Sequence, residues 1–532
     1  MSESFDSFTD LVSGLHARLS DDPKDDAAHA ALSRLQEGDL VQVMVPAADG
    51  AAAGGTKRRT QLLFRAQKMG SPETSSLLTD TLLLADRMRL SLQLYVYNEG
   101  SDVLSVLSDS LKERVETLHI ELMPSTVCRH ASAALNMGGV PPCNGDCGTF
   151  LCALTTFPHL TELCIECPEP EDATRVATAV KGCLRAVAQL PVGNLALHGC
   201  KPLRDLYALS GLEQLRRLTV SSCEIQSLAG LPSCAMLTVL DVSGNSELQE
   251  LSALAGVPTL QIVNASWCGL RSVDGVQSCP MLTVLHVSGN SELHELSALA
   301  GAENLQVLGA SWCGLRSVDG LESCPQLREL DVSLNKLLGS LRSLAGAPRL
   351  EKIWAWHCGL HNVEALAGCP MLSVLDVSGN EFLEDLRGVS GAPRLEAIRA
   401  SYCFLSNLDG LSSCPQLKEL DIPFSRVLED LSGVVGAPRL EVIRASYCFL
   451  RNLDGLNCCP QLKELDVSYN ELIEDLSGVV GAPRLEVIRA VGCGLRNLDI
   501  LNTCPQLKVV DVRANPRLQD FSGIAHAETI IK

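Results

Sequence analysis

Two stretches of the 532-residue chain are near copies of one another and decide the fold. The first is RLEAIRASYCFLSNLDGLSSCPQLKELD (394–421), and the second is RLEVIRASYCFLRNLDGLNCCPQLKELD (439–466). They agree at 24 of 28 positions and begin 45 residues apart. A fixed period of this length indicates a repeat architecture, in which each unit buries its apolar face by stacking on its neighbours.

The 45-residue period extends well beyond these two copies. The phrase DVSGN begins at Asp241, and related phrases follow at six further intervals of 45 residues. Each period contains two halves of 22 and 23 residues, typified by LTVLDVSGN from Leu237 and LQIVNASWCGL from Leu260. Both halves fit L-x-x-L-x-L-x-x-(N/C)-x-L, with Val, Ile or Ala in place of some leucines, and fourteen of them start in register between Leu215 and Leu507. Because LxxLxL places its apolar residues on one side of a short strand, the pattern predicts a stack of strands with a common buried face.

The remainder of each half-repeat is too short for a full crossover helix. The phrases AGAPRL and SSCPQL precede successive strands, and their prolines end any helix before the next strand begins. We therefore predict return segments that are extended or 3₁₀-helical.

This pattern resembles the leucine-rich repeat superfamily over more than half of the chain, from Leu215 to about residue 520. The phrase GLRSVDGLESCPQLRELDVSLN (314–335) is most similar to the short 22-residue class typified by a protein phosphatase regulator, and the alternation of Cys and Asn is similar to trypanosomatid members. The resemblance implies an α/β solenoid, or horseshoe, with a parallel β-sheet on its concave face and a protein-binding role. It also implies that a column of asparagines bonds backbone groups of adjacent coils; Ser425, in DIPFS, interrupts this column, which consists of Asn245, Asn290, Asn335, Asn380, Asn470 and Asn515.

The chain divides into three regions by sequence. Residues 1–90 do not repeat, and we predict a partly helical N-terminal region with a flexible loop at 46–60. Residues 91–210 contain strand-like segments at irregular spacing and a helix-like stretch at 171–190, which predicts longer, irregular leucine-rich repeats with helices. Residues 211–532 form the regular array of about fourteen half-repeats.

Composition limits the function and the compartment. The net charge of -20 argues against a nucleic-acid partner and favours a protein partner with basic patches, and KRR (57–59) is read as a solvated loop. Since no apolar run reaches 18 residues and the N-terminus lacks an apolar leader, we expect no membrane insertion and a cytoplasmic protein, with cytoskeletal association as an alternative. We also expect a monomer.

Fourteen of the 23 cysteines form two columns. Neighbours within a column lie two coils apart, roughly 10 Å, whereas a disulfide needs Cα atoms within about 7 Å. We therefore predict buried free thiols and a reducing compartment. A metal site at CNGDC (143–147) with Cys152 is weighed against a turn with buried thiols, and we predict no metal and no cofactor. The two columns are Cys223, Cys268, Cys313, Cys358, Cys403, Cys448 and Cys493, and Cys234, Cys279, Cys324, Cys369, Cys414, Cys459 and Cys504.

No catalytic motif stands out in the sequence. The chain contains no P-loop, no GxSxG and no HExxH, and its 11 histidines share no recurring partner. We therefore predict a non-enzymatic scaffold that binds a protein on its concave face. The alternatives are a regulatory or substrate-recognition subunit of a phosphatase or ubiquitin ligase, and a structural component of the cytoskeleton.

Charged residues form one exposed column of the predicted sheet. From Asp376 onward its members alternate in sign, through Arg399, Asp421 and Arg444. Two interpretations remain open, because arginines can neutralise stacked aspartates or the column can face a polar ligand.

Aromatic residues form a second exposed group. Trp267, Trp312, Tyr402 and Tyr447 directly precede a cysteine of the first column, and glycine takes the equivalent place in other coils. These rings either pack over neighbouring glycines or bind a partner. We place the centre of the binding site at the unusual coil KIWAWHC (352–358), and the predicted site consists of Trp354, Trp356, His357, Trp312, Trp267, Asp376, Arg399, Tyr402, Asp421, Arg444 and Tyr447.

Overall fold

The protein is described from a computed structural model. The described residues are 158–167 and 190–532 except 391 and 481, together with the backbone of four earlier strands and single residues between 180 and 188. The predicted N-terminal helices, the loop at 46–60 and the stretch CNGDC lie outside the described residues. Within the helix-like stretch at 171–190, Val180 and Leu184 are helical and buried.

The chain forms two compact units. Unit 1 comprises residues 1–248 and 253–260. Its strands β1 and β2 pair antiparallel, and β2 to β8 follow one another as parallel neighbours. These strands are β1 (Val41–Met44), β2 (Gln61–Arg65), β3 (Ser91–Tyr97), β4 (Val115–Glu121), β5 (Glu162–Glu166), β6 (Asn194–His198), β7 (Arg217–Ser221) and β8 (Val239–Asp241).

Unit 2 comprises residues 249–252 and 261–532. Its strands are all parallel, in chain order, and each has the same three-residue register with the next. They are β9 (Ile262–Asn264), β10 (Val284–His286), β11 (Val307–Gly309), β12 (Glu329–Asp331), β13 (Lys352–Trp354), β14 (Val374–Asp376), β15 (Ala397–Arg399), β16 (Glu419–Asp421), β17 (Val442–Arg444), β18 (Glu464–Asp466), β19 (Val487–Arg489), β20 (Val509–Asp511) and β21 (Thr529–Ile531). The predicted sheet of short parallel strands is confirmed, and each of the fourteen predicted half-repeats contributes one strand.

Short 3₁₀ helices form the return segments, as the sequence predicted. A glycine in a left-handed conformation precedes several of them; at Gly410, with φ +103°, an added Cβ would lie 2.4 Å from the carbonyl oxygen of Leu386 in the preceding coil. The coils therefore stack too closely for any other residue there. The 3₁₀ helices are Tyr207–Leu209, Leu231–Ser233, Ser252–Gly256, Val276–Ser278, Ser297–Leu299, Leu321–Ser323, Arg342–Leu344, Glu364–Gly368, Arg387–Val389, Leu411–Ser413, Ser432–Val434, Leu456–Cys458, Ser477–Val479, Asp499–Thr503 and Ser522–Ile524.

Stacked aliphatic side chains form the core. The leucines of LxxLxL, such as Leu417 and Leu420, are completely buried, and so is Ile422 two residues after the second leucine. Strand residues between them face the other side of the sheet, so most three-residue strands, such as β16, β17 and β18, show one buried residue between two half-buried ones. Among the described residues, no helix has the length and apolar character needed to cross a membrane.

The asparagine column bonds adjacent coils, as the resemblance implied. Asn470 donates from Nδ2 to the carbonyl oxygens of Ala445 (2.9 Å) and Val467 (2.8 Å), and its Oδ1 accepts the backbone N–H of Leu450 (3.1 Å). Ser425 occupies the same place one period earlier, where it is completely buried and its hydroxyl has no hydrogen-bond partner. A serine is too short to reach the backbone groups that asparagine bonds, so this coil lacks the side-chain hydrogen bonds that join the other coils. We call these asparagine hydrogen bonds the polar tie of a coil.

The two predicted cysteine columns are buried, with free thiols. Cys403 is typical, since its thiol donates to the carbonyl oxygen of Val377 (3.3 Å) and burial raises its pKa to about 12. Upstream of the regular array the spacing differs, because Cys167 and Cys200 lie in neighbouring coils with their sulfur atoms 3.4 Å apart. The two-coil separation that keeps the regular columns apart therefore does not apply to these irregular coils.

Candidate protein-binding surface

The alternating charged column lies on the exposed face of the sheet in unit 2. Strand register places Trp354 beside Asp376, Asp376 beside Arg399, and Arg399 beside Asp421. Arg444 follows on β17, next to Asp421. The structure thus brings five of the predicted site residues into one row across β13 to β17.

The arginines of this row form ion pairs with glutamates rather than with the aspartates between them. Arg444 pairs with Glu419 at 2.8 Å and with Glu464 at 3.7 Å, and Arg399 reaches Glu419 at 3.4 Å. These glutamates lie two residues before the aspartates on β16 and β18. Because the groups are partly exposed, each pair stabilises the fold by only about 0–1 kcal/mol. Neither glutamate was among the predicted site residues, although the recurring phrase ELD places one at the start of each of these two strands.

Backbone N–H groups, instead of arginines, satisfy most of the aspartates. Asp376 and Asp466 each accept the N–H of the serine two residues later, at 3.0 Å. Asp421 differs, because the residue two places later is Pro423, which has no N–H to donate. Burial raises the pKa of the Asp421 carboxyl, and the nearby Arg444 opposes that rise. Asp421 is therefore a half-buried carboxylate that lacks the hydrogen bond of its counterparts.

The aromatic residues occupy a backbone position that disfavours them. The residue before the Asn or Cys of the motif has φ between 52° and 77° in all fourteen half-repeats. Glycine adopts this left-handed conformation freely, whereas other residues are disfavoured by about 1–2 kcal/mol. Only four of the fourteen are glycine; the residues are Ser222, Gly244, Trp267, Gly289, Trp312, Leu334, His357, Gly379, Tyr402, Phe424, Tyr447, Tyr469, Gly492 and Ala514.

Four successive rings of this column stack face to face. Tyr402, Phe424, Tyr447 and Tyr469 have ring centroids 4.2, 4.6 and 4.2 Å apart, with interplanar angles of at most 14°. Such a contact contributes about 0.5–1.5 kcal/mol, which is comparable to the backbone penalty. The three tyrosines nevertheless remain 41–55% exposed. Phe424 and Tyr469 were not among the predicted site residues, and only the one-coil register shows that they complete the stack. We call these four residues the ring stack.

Other aromatic rings of the column pack over glycines, as one of the two interpretations expected. An added Cβ at Gly289 would lie 2.6 Å from the indole of Trp267, and one at Gly379 would lie 2.7 Å from the imidazole of His357. Trp267 and Trp312 also meet edge to face, with centroids 5.7 Å apart. Each of these tryptophans is still 57% exposed. Packing therefore fixes the position of the rings without removing them from solvent.

The unusual coil KIWAWHC places its aromatic groups on the exposed face as well. Trp354 lies on β13 and is half-buried, whereas Trp356 is 37% exposed and meets His357 edge to face at 5.6 Å. The Trp356 side chain occupies a position that serine fills in the coils on either side. The row of charged residues thus has tryptophans at its β13 end and the ring stack along its side from β15 to β18.

Comparisons with known proteins agree with this fold. The family model "Leucine Rich repeats (2 copies)" matches residues 438–480. A search of curated proteins finds no match. Among solved structures, a leucine-rich repeat protein of Leptospira interrogans aligns at a TM-score of 0.54 and 14% identity, covering 80% of this chain and 99% of that one.

A second solved structure, the Toll–Spatzle complex of Drosophila, aligns at a TM-score of 0.56 and 15% identity. The match covers 90% of this chain but only 62% of the other, so this chain spans less than two thirds of its relative's length. At these identities the likeness shows the fold alone. The chain is therefore a solenoid-type repeat protein. Its repeat motif and its fold are similar to those of leucine-rich repeat proteins.

Proposed function

We propose that this protein is a non-enzymatic scaffold that binds a protein partner on the exposed, concave face of β13 to β18. The observation that carries the proposal is the ring stack, where three tyrosines keep a disfavoured backbone conformation and yet remain 41–55% exposed. Aromatic residues and arginine dominate the binding energy of protein interfaces once a partner covers them. The fold supports this role, and the structure of similar fold from Drosophila was solved as a complex of Toll with Spatzle.

The charges of this surface favour a partner with lysine or arginine side chains. Within the row and its flanking glutamates, Asp376, Asp421, Asp466, Glu419 and Glu464 carry five negative charges. Lys352, Arg399 and Arg444, on the same strands, carry three positive ones. Asp421 lacks the backbone N–H that its counterparts accept, so it is the carboxylate best placed to receive a cationic group. The partner's basic side chain would then pair with Asp421 while its apolar part covers neighbouring rings.

Affinity capture with the full chain tests this proposal. The double change Trp354→Ala plus Trp356→Ala should weaken capture of the main partner by about 2 kcal/mol, as expected for an interface hot spot. Tyr447→Gly should also weaken it, and this change removes a ring while giving the left-handed position the residue that it favours. Leu337→Ala is the matched control, since Leu337 is 70% exposed in unit 2 but lies outside the proposed surface.

Quantitative mass spectrometry of the captured proteins gives the result. Support requires a partner that is retained by the parent and by Leu337→Ala and is depleted with both aromatic variants. Thermal unfolding of each variant must match that of the parent. If the aromatic variants retain every captured protein, or if they unfold well below the parent, these rings have a packing role and the proposed surface is wrong. A phosphatase or ligase subunit captured in equal amount would instead favour the regulatory alternative.

A further inference from the structure

Three side chains that suit a metal ion meet on the exposed face of the sheet in unit 1. On β5, Leu163 and Ile165 are buried, so Cys164 and Glu166 point to the opposite side. Strand register places His198, on β6, directly beside Glu166. One ligand atom from each of Cys164, Glu166 and His198 lies within 4.8 Å of the other two, and all three residues are half-buried.

The chemistry of this set favours zinc over other common cations. Thiolate and imidazole are ligands for zinc and softer metals, whereas magnesium and calcium prefer oxygen alone. In a tetrahedral zinc site with bonds of about 2.0–2.3 Å, ligand atoms lie roughly 3.3–3.8 Å apart. The present separations are within 4.8 Å, so small side-chain rotations would bring the three atoms to that geometry.

A hydrogen bond to the next strand orients the histidine. His198 Nδ1 lies 2.6 Å from the hydroxyl oxygen of Ser221, on the next strand, β7. When Nδ1–H donates to this hydroxyl, the lone pair remains on Nε2. Histidines that bind metals are held in this manner by a partner on their second nitrogen. The Ser221 contact is therefore independent support for a ligand role of His198.

The electrostatics of the cluster also fit a cation. The Cys164 thiol and the Glu166 carboxylate are close neighbours in this cluster. A thiolate beside a carboxylate is unfavourable unless a positive charge lies between them. A divalent cation would supply that charge and would release the thiol proton on binding.

We propose that Cys164, Glu166 and His198 form a zinc site with three protein ligands and one open coordination position. Water or a side chain of a bound protein would take the fourth position. No metal was expected from the sequence, because these residues lie up to 34 positions apart and form no recognisable motif. Only the pairing of β5 with β6 brings them together.

Cobalt(II) titration of the metal-free full chain tests the site. The parent should show thiolate-to-cobalt charge-transfer absorption that saturates at one equivalent and disappears when zinc is added. Cys164→Ser should abolish this absorption, and His198→Ala should weaken cobalt and zinc binding at least tenfold. Ser221→Ala should weaken binding by about 10- to 100-fold, the usual cost of losing a partner behind a metal ligand.

Two control variants separate this site from the other cysteines. Cys458→Ser removes an exposed thiol in unit 2 and should leave the titration unchanged. A triple serine variant at 143, 147 and 152 should also bind like the parent. The proposal is overturned if the parent shows no charge-transfer absorption, if the absorption persists in Cys164→Ser, or if the triple variant loses it. Zinc should also raise the unfolding temperature of the parent but not that of His198→Ala, which keeps the test decisive if the serine variant does not fold.

Discussion

Two coils of unit 2 have nearly the same sequence until their strands end, and then they differ. The coil of β16 ends its strand with DIPFS (421–425), whereas the coil of β18, one period later, has DVSYN (466–470). In the second coil, Asp466 accepts a backbone N–H and Asn470 bonds four backbone groups. In the first coil, Pro423 removes that N–H, and the hydroxyl of Ser425 has no partner.

This difference shows that the buried leucines maintain the stack, whereas the polar groups distinguish one coil from another. The buried leucines are the same in both coils, so the repeat tolerates the change. The polar groups differ, and the coil with fewer internal hydrogen bonds is the one with Asp421 on the exposed face. A stable array can accept one weakened coil because each coil is held by two neighbours. We infer that DIPFS lowers the stability of its own coil and leaves the Asp421 carboxylate available for a partner.

The largest expected effect tests whether the two coils are packed alike. Leu420→Ala and Leu465→Ala each remove a completely buried side chain and should each lower the free energy of unfolding by about 2–5 kcal/mol. Because both leucines have equivalent neighbours, the two losses should agree. Urea denaturation measures both. A much smaller loss for Leu420→Ala would mean that the whole DIPFS coil is loosely packed, rather than only its polar ties.

The next effect tests the asparagine tie. Asn470→Ser makes the β18 coil resemble the β16 coil, and it should cost about 1–3 kcal/mol for each buried backbone group that loses its partner. Hydrogen exchange gives a local reading, since the amide of Leu450 should lose its protection in this variant. Unchanged protection at Leu450 would show that the asparagine column does not stabilise the stack.

The reverse substitution should have a smaller effect of opposite sign. Ser425→Asn restores the side chain that the other coils use, and it should raise the free energy of unfolding by about 1–2 kcal/mol. The gain is smaller than the loss in Asn470→Ser because Pro423 still alters the turn beside it. New protection of the Leu405 amide would confirm that the asparagine has formed its bonds, and a destabilised variant would show that the coil has no room for them.

The smallest effect concerns the pH dependence of Asp421. Burial raises its folded-state pKa above the ordinary value of about 3.9, so the folded state binds more protons than the unfolded state between the two values. Stability contributed by this group therefore falls as pH rises through that window. Asp421→Asn should remove this dependence and stabilise the protein at neutral pH, while its matched variant Asp466→Asn should not stabilise it.

The same substitution distinguishes a functional carboxylate from a structural one. If Asp421 receives a basic group of the partner, Asp421→Asn should weaken capture of the partner while it stabilises the fold. Thermal unfolding between pH 4 and pH 7 and the capture assay are read on the same protein samples. Capture that is unchanged by Asp421→Asn would remove this residue from the proposed surface.

The sequence predicted the repeated, buried features of the regular array correctly. The 45-residue period, the LxxLxL face and the prolines specified short parallel strands, 3₁₀ return segments and buried cysteine columns, because stacking demands the same residue at the same place in every coil. It also placed Asp376, Arg399, Asp421 and Arg444 in one exposed row. Positions that repeat can be predicted because a single rule fixes all of them.

Contacts between coils were beyond the sequence, since they depend on register and side-chain reach. The sequence placed Arg399 and Arg444 between aspartates. In the structure both arginines pair with Glu419, which lies two residues before Asp421 on β16. It identified the aromatic residues, but only the one-coil register turns four of them into a stack.

The sequence by itself therefore determined the architecture of this protein, and the tertiary structure decided its chemistry. A period is readable along the chain because each coil repeats the same burial. The cluster of Cys164, Glu166 and His198 and the missing tie at Ser425 arise from neighbours 20 to 34 residues away, in positions where one coil departs from the next. The effect of such departures can be seen only when the strands lie side by side. Strand pairing in the sheet, and not separation along the chain, then decides which side chains are close together.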